Sequence, residues 1–152
     1  MNKIPSDMSQ RLERRLETMR TEGKDTIGDI LQLQVVECNT TTGEFLFRGK
    51  AAPWMRNLAG TLHGGMCATF IDQCLGLVAR CLKDGQGGLT PTLDMALHYL
   101  RPLMPDEDVL IRIQVLSVSR SIIHMGAQAY VASKPEKLCI SANGTSFFKE
   151  TK

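Results

Sequence analysis

A chain of 152 residues has room for one hydrophobic core, so a single domain is expected. Its 18 basic and 16 acidic side chains leave a formal charge of +2, too weak an overall field to recruit nucleic acid or an anionic membrane. The five cysteines, Cys38, Cys67, Cys74, Cys81 and Cys139, are odd in number and form no C-x-x-C pair, which argues against a disulfide framework or a zinc finger and for a reducing, cytoplasmic setting.

Met8, Leu12, Leu16 and Met19 recur at helical spacing behind Ser6, a candidate N-cap, and Gly23 follows, so residues 6–22 read as an amphipathic helix. Arg11, Arg14, Arg15 and Arg20 alternate with Glu13, Glu17 and Glu22, whereas presequences are poor in acids, so residues 1–26 read as a helical extension of the mature protein. From Ile30 the period drops to two: Leu31, Leu33 and Val35 alternate with Gln32 and Gln34, as in a half-buried strand. The cluster Asn39 to Gly43 turns this strand into a second, Glu44 to Arg48. Residues 53–60 read as a loop. His63-Gly64-Gly65 then stands before the longest apolar helix, residues 66–82. No apolar run approaches the roughly 20 residues that a bilayer span requires.

A glycine-rich linker, residues 84–88, leads to four alternating runs: 93–100, 109–118, 122–132 and 138–148. The expected architecture is therefore α+β, with an antiparallel sheet of about six strands covering one long helix over residues 27–150.

Spaced at 100° per residue, Met66, Cys67, Phe70, Cys74, Leu77 and Cys81 fall on one half of that helix, which must face the sheet. The cysteines there read as small buried hydrophobes rather than as redox or metal groups. Asp72 falls on the other half. Ala68, Gly76 and Ala79 surround it at one-turn and two-turn offsets, a low wall where a solvated helix would carry long polar side chains. Gly76 costs about 1 kcal/mol relative to alanine inside a helix, so close approach by a partner backbone or a narrow ligand is expected there. At the helix start, the first amides lack intrahelical partners and sit at the positive end of the dipole, a ready cradle for an oxyanion that glycines leave accessible.

The stretch from Asn57 through His63-Gly64-Gly65 to Asp72, with six residues from Asn to His and nine from His to Asp, resembles the hotdog-fold thioesterases of the phenylacetate-pathway (PaaI-like) branch. Thr92-Leu-Asp-Met-Ala-Leu-His-Tyr-Leu-Arg-Pro102 is similar to that family's strand after the helix. The resemblance implies an acyl-CoA thioesterase without metal or cofactor, working as a homodimer at least and as a tetramer built of two dimers. It implies Asp72 as base or nucleophile on one subunit, with Asn57 and the Gly64 amide of the other polarising the carbonyl. His63 would position Asn57 or its loop. Thr92, with Thr90 as its competitor, would orient the attacking water.

The resemblance also implies Gly65 beside the substrate and Arg120 or Arg101 against the phosphates of coenzyme A. Met66, Trp54 and Met55 would line the acyl group. Two rival readings are a hotdog hydratase or dehydratase and a non-catalytic acyl-CoA-binding module. Neither accounts for a base at Asp72 alongside His63-Gly64.

Overall fold

The computed structural model describes residues 4–83 and 88–150. Three helices, α1 (Met8–Thr21), α2 (Ile27–Ile30) and α3 (Gly64–Leu82), combine with strands β1 (Gln34–Asn39), β2 (Glu44–Lys50), β3 (Gly88–Leu89), β4 (Thr92–Tyr99), β5 (Asp108–Val118), β6 (Ile122–Val131), β7 (Ile140–Phe147) and β8 (Lys149–Glu150). Six strands form one antiparallel sheet in the order β1-β2-β5-β6-β7-β4. The sheet wraps α3, as the alternation in the sequence requires. Ile111, Ile113, Ile123, Met125, Ala127, Ala129 and Ala142 point inward and are buried, and so are Phe70, Ile71, Cys74, Leu75, Val78 and Cys81 of α3.

Close contact between helix and sheet depends on one missing side chain. A Cβ on Gly49 of β2 would lie 2.6 Å from the Phe70 ring, so glycine there lets α3 settle onto the strand. By length and composition α3 could cross a bilayer, contrary to the expectation that no run was long enough. Its apolar half instead lies inside this sheet.

Three readings of the first half need correction. Helix α1 begins at Met8 with Asp7 before it, and neither Ser6 nor Asp7 caps it through a side chain. The expected strand from Ile30 starts only at Gln34, because Ile27–Ile30 forms a helical turn and Gln32 takes a positive φ of 47° that breaks any extended run. Leu31 and Leu33 are both buried, so their alternation was real but belonged to a loop. Ala79, expected on the open wall beside Asp72, is fully buried. Helix α1 packs along that part of α3, its Arg11 Nη1 donating to the Cys81 carbonyl at 3.2 Å.

The linker at 84–88 lies mostly outside the described residues. Where description resumes, Gly88 and Leu89 pair with Glu150 and Lys149 in a short ribbon that the sequence did not announce. The sheet has two edges, β1 and β4. Leu93, Tyr99 and Leu100, on β4 and just after it, are all exposed.

Candidate active site

The loop before α3 is closed on itself by backbone and side chain together. Arg56 and Leu62 form an antiparallel bridge, and His63 N donates to the Met55 carbonyl at 2.8 Å. Inside that closure the Asn57 Oδ1 accepts from the amides of Ala59 (3.0 Å) and Thr61 (3.2 Å), while its Nδ2 donates to Thr61 Oγ1 at 2.9 Å. Gly60 completes the turn at φ 82°, a region that favours glycine. The Asn57 amide has two N–H donors. One of them holds the loop and the second remains for another partner.

His63 is the N-cap of α3, and its Nδ1 accepts from the Gly65 amide at 3.0 Å. It therefore fixes the helix start rather than Asn57, whose side-chain partners are Ala59 and Thr61. The His63 carbonyl accepts from the amides of Met66 (2.9 Å) and Cys67 (3.0 Å). With Gly65, Met66 and Cys67 all engaged, the Gly64 amide is the one N–H of the first turn that has no acceptor among the described residues. Gly65, expected beside the substrate, has its amide committed to His63. Gly64 is held from behind as well: Tyr99 Oη, on β4, donates to the Gly64 carbonyl at 2.9 Å. A phenol is protonated at neutral pH, as this donation requires, and partial desolvation of the hydroxyl end of this otherwise exposed side chain pushes its pKa further up. Tyr99 falls inside the stretch from Thr92 to Pro102, but nothing in its spacing points to this bond. Only the three-dimensional pairing of β4 with the start of α3 shows it.

Asp72 lies two turns further along α3 and is exposed. Thr92 Oγ1 donates to its Oδ1 at 2.6 Å. Between the two threonines the structure thus places Thr92 against the carboxylate, while Thr90 lines a groove with Gln73, Gly76 and Arg80. A β-bulge between Thr92 and Asp94 lets Thr92 turn toward α3. A Cβ on Gly76 would meet nothing within 4 Å, so no neighbour among the described residues explains its lack of a side chain.

Asp72 and Gly64 do not come together within one chain. Eight residues at 1.5 Å per residue put them about 12 Å apart along the helix axis. A carbonyl within hydrogen-bond reach of the Gly64 amide is out of reach of the same chain's Asp72.

The other expected residues divide. Met55 is 1 % exposed and belongs to the core, so it does not line a pocket, and Met66 is partly buried against that core. Trp54 is exposed and shares an open groove with Arg56, Asn57, Leu58, Ala59 and His63. Leu58, at the tip of the Asn57 loop and given no role from the sequence, is fully exposed. Arg101 Nη1 donates to the Leu138 carbonyl at 2.8 Å, close to the start of α3 through its neighbour Tyr99. Arg120 is exposed in the β5–β6 turn, whose carbonyls at Ser119 and Arg120 accept from Lys83 Nζ at 3.0 and 3.3 Å just beyond the end of α3. The two arginines thus mark opposite ends of the helix and cannot serve one phosphate in one chain. Burial pushes the Cys67 thiol up to about 11 and raises Cys74 further, so both are neutral packing groups.

The geometry is thus a carboxylate with a bound hydroxyl and a separate open amide at a helix start. The thioesterase superfamily model matches residues 59–137, more than half of the chain and including both Gly64 and Asp72. The chain belongs to the thioesterase superfamily. Acyl-coenzyme A thioesterase 13 of Homo sapiens is 33% identical over 66 residues, covering 43% of this chain and 46% of that protein. The chain thus spans about half the length of the curated relatives it matches.

Among solved structures, the Escherichia coli PaaI protein from the phenylacetic acid degradation operon superposes with a TM-score of 0.76 at 14% identity, covering 95% of this chain and 98% of that one. A hypothetical thioesterase from Streptococcus pneumoniae, crystallised with coenzyme A, gives 0.70 at 22% identity, covering 88% and 98%. These likenesses establish the hotdog fold, with its long central helix and six-stranded antiparallel sheet.

Proposed function

We propose that the protein is an acyl-CoA thioesterase that hydrolyses an acyl-CoA to a free acid and CoA at sites shared between two copies of the chain. The observation that carries this reading is the separation of the Asp72–Thr92 pair from the open Gly64 amide by about two helical turns. A second protomer packed along α3 supplies the missing half of each site. The exposed apolar side chains Leu93, Tyr99 and Leu100 at the β4 edge, and Leu58 beside Asn57, support such a partner. So does Gly76, whose missing side chain nothing among the described residues requires. The minimal unit is a homodimer, and two dimers form a tetramer.

A thioester carbonyl is already activated, so the reaction needs a base or nucleophile and oxyanion donors, and no cofactor. Asp72 delivers water or attacks the carbonyl itself, with Thr92 holding one carboxylate oxygen so that the other faces the substrate. The partner's Gly64 amide and the remaining Asn57 N–H take the charge on the tetrahedral oxygen. Collapse of the intermediate expels the CoA thiolate, which takes up a proton; if Asp72 was the nucleophile, water then cleaves the resulting acyl-Asp72 anhydride to the free acid and restores the carboxylate. Arg120 and Arg101, at opposite ends of α3, meet the phosphates from different protomers, and Trp54 offers an apolar wall to the acyl group. The work is cytoplasmic.

The purified protein should release free thiol from acyl-CoA esters, read with a thiol-trapping reagent across acyl chains of different length and aromaticity. Saturable binding of those esters with no thiol released on any of them would make the chain a binding module instead. Within the same assay Tyr99→Phe should lower kcat about 3- to 10-fold with the fold intact, because one hydrogen bond that fixes Gly64 is lost. Parent-level kcat would remove Tyr99 from the oxyanion side.

A further inference from the structure

Ser146 is the one buried polar side chain among the described residues, 1 % exposed, and its hydroxyl has no hydrogen-bond partner among them. Its neighbours on the inner face of the same strand, Ala142 and Gly144, are small and apolar, so alanine would fill this place without leaving a polar atom unsatisfied. A buried hydroxyl without a partner calls for a reason. The register supplies one: Ser146 of β7 lies directly opposite Thr92 of β4. Paired residues of antiparallel strands have neighbouring Cβ atoms, and the β-bulge between Thr92 and Asp94 turns Thr92 toward the helix-facing side on which Ser146 is buried, so that rotation about χ1 would let the two hydroxyls bond. Thr92 spends its only proton on Asp72 Oδ1, which leaves its oxygen able to accept.

We propose that Ser146 is a positioning residue for the hydrolytic site, donating its hydroxyl proton to Thr92 Oγ1 so that a relay runs from Ser146 through Thr92 to the Asp72 carboxylate. The inference rests on the role proposed above for Asp72. A hydroxyl that accepts one hydrogen bond while giving another is polarised and becomes the stronger donor. Thr92 then grips one carboxylate oxygen in a single rotamer, and the second oxygen keeps its aim at the substrate. No proton leaves Ser146 during turnover. Its part is to fix Thr92, and it touches neither substrate nor water. Because β4 is a sheet edge, Thr92 lacks a second flanking strand to hold it, which makes support from β7 the more consequential.

The test uses Ser146→Ala, Thr92→Val, the double variant and Asp72→Asn, each read for kcat and KM in CoA release and for thermal midpoint. Ser146→Ala should lower kcat about tenfold at unchanged KM, the size expected from one hydrogen bond, while the thermal midpoint holds or rises. In the Thr92→Val background the same substitution should change kcat no further, since the two hydroxyls act as one unit. Parent-level kcat in Ser146→Ala, or a full tenfold loss added on top of Thr92→Val, overturns the relay. If Asp72→Asn is inactive when that happens, only the Ser146 role has failed. If Asp72→Asn turns over normally, the reading of the site beneath it has failed as well.

Discussion

Asp72→Asn should give a folded protein that releases CoA about 100- to 10,000-fold more slowly than the parent, the range a positioned acid or base commonly contributes. Asparagine matches aspartate in size, and its carbonyl oxygen can still accept the Thr92 hydroxyl that now reaches Oδ1 at 2.6 Å. The side chain is exposed and carries no ion pair among the described residues, so stability should change by less than about 0.5 kcal/mol. What asparagine lacks is the charge. It can neither accept a proton from water nor attack a thioester carbonyl, and both routes open to Asp72 close together. The check is a thiol-release assay beside a thermal melt. A variant with an unchanged midpoint and parent-level turnover would take Asp72 out of the chemistry.

Much of the architecture was legible because burial dictates period. The four runs after residue 88 became β4 to β7 with ends moved by a few residues, and the apolar half of α3 became the core. Where the sequence misled, a local conformation had overridden a correct pattern. Leu31 and Leu33 are buried as their alternation demanded, yet the positive φ at Gln32 makes that segment a turn. Ala79 sits at the right angle around α3 to border Asp72, but angle alone ignores what packs on top, and α1 covers that stretch.

Helix periodicity singled out the wall of small residues around Asp72 and the open amides at the helix start, while the resemblance named Gly64 among those amides and gave Asp72 its role. Their partners did not follow from spacing. Tyr99 behind Gly64, Ser146 behind Thr92 and the choice of Thr92 over Thr90 all depend on which strands pair and where β4 bulges. The resemblance implies that His63 positions Asn57 or its loop: its backbone N–H does close the loop onto the Met55 carbonyl, while its ring accepts from Gly65 and does not reach Asn57. A histidine at an N-cap answers first to the nearest orphan amide, two residues ahead. That local bond engages the Gly65 amide and leaves the Gly64 amide open at the helix start.

The same feature offers a substitution that deletes a single hydrogen atom's worth of function. Gly64 is the first residue of α3, where proline is well accepted because its fixed φ suits a helix start and its missing N–H is an orphan there in any case. His63 before it has ψ 136°, an extended value compatible with a following proline, and a Cβ at Gly64 would meet Tyr99 at ordinary contact distances of 3.6 Å and more. Gly64→Pro should therefore fold and yet lose about 100- to 1,000-fold in kcat, the cost of one oxyanion donor.

Mixing this variant with Asp72→Asn then asks where the two groups act. In a two-fold dimer each site takes Asp72 from one protomer and the Gly64 amide from the other. A mixed dimer therefore has one site with both lesions and one site with neither. Random exchange in an equal mixture makes half of the dimers mixed, so activity should return to about a quarter of the parent value although neither variant alone is active. Were both groups to act within one chain, every site in every dimer would keep a lesion, and mixed dimers isolated by differential tags would stay as slow as their parents.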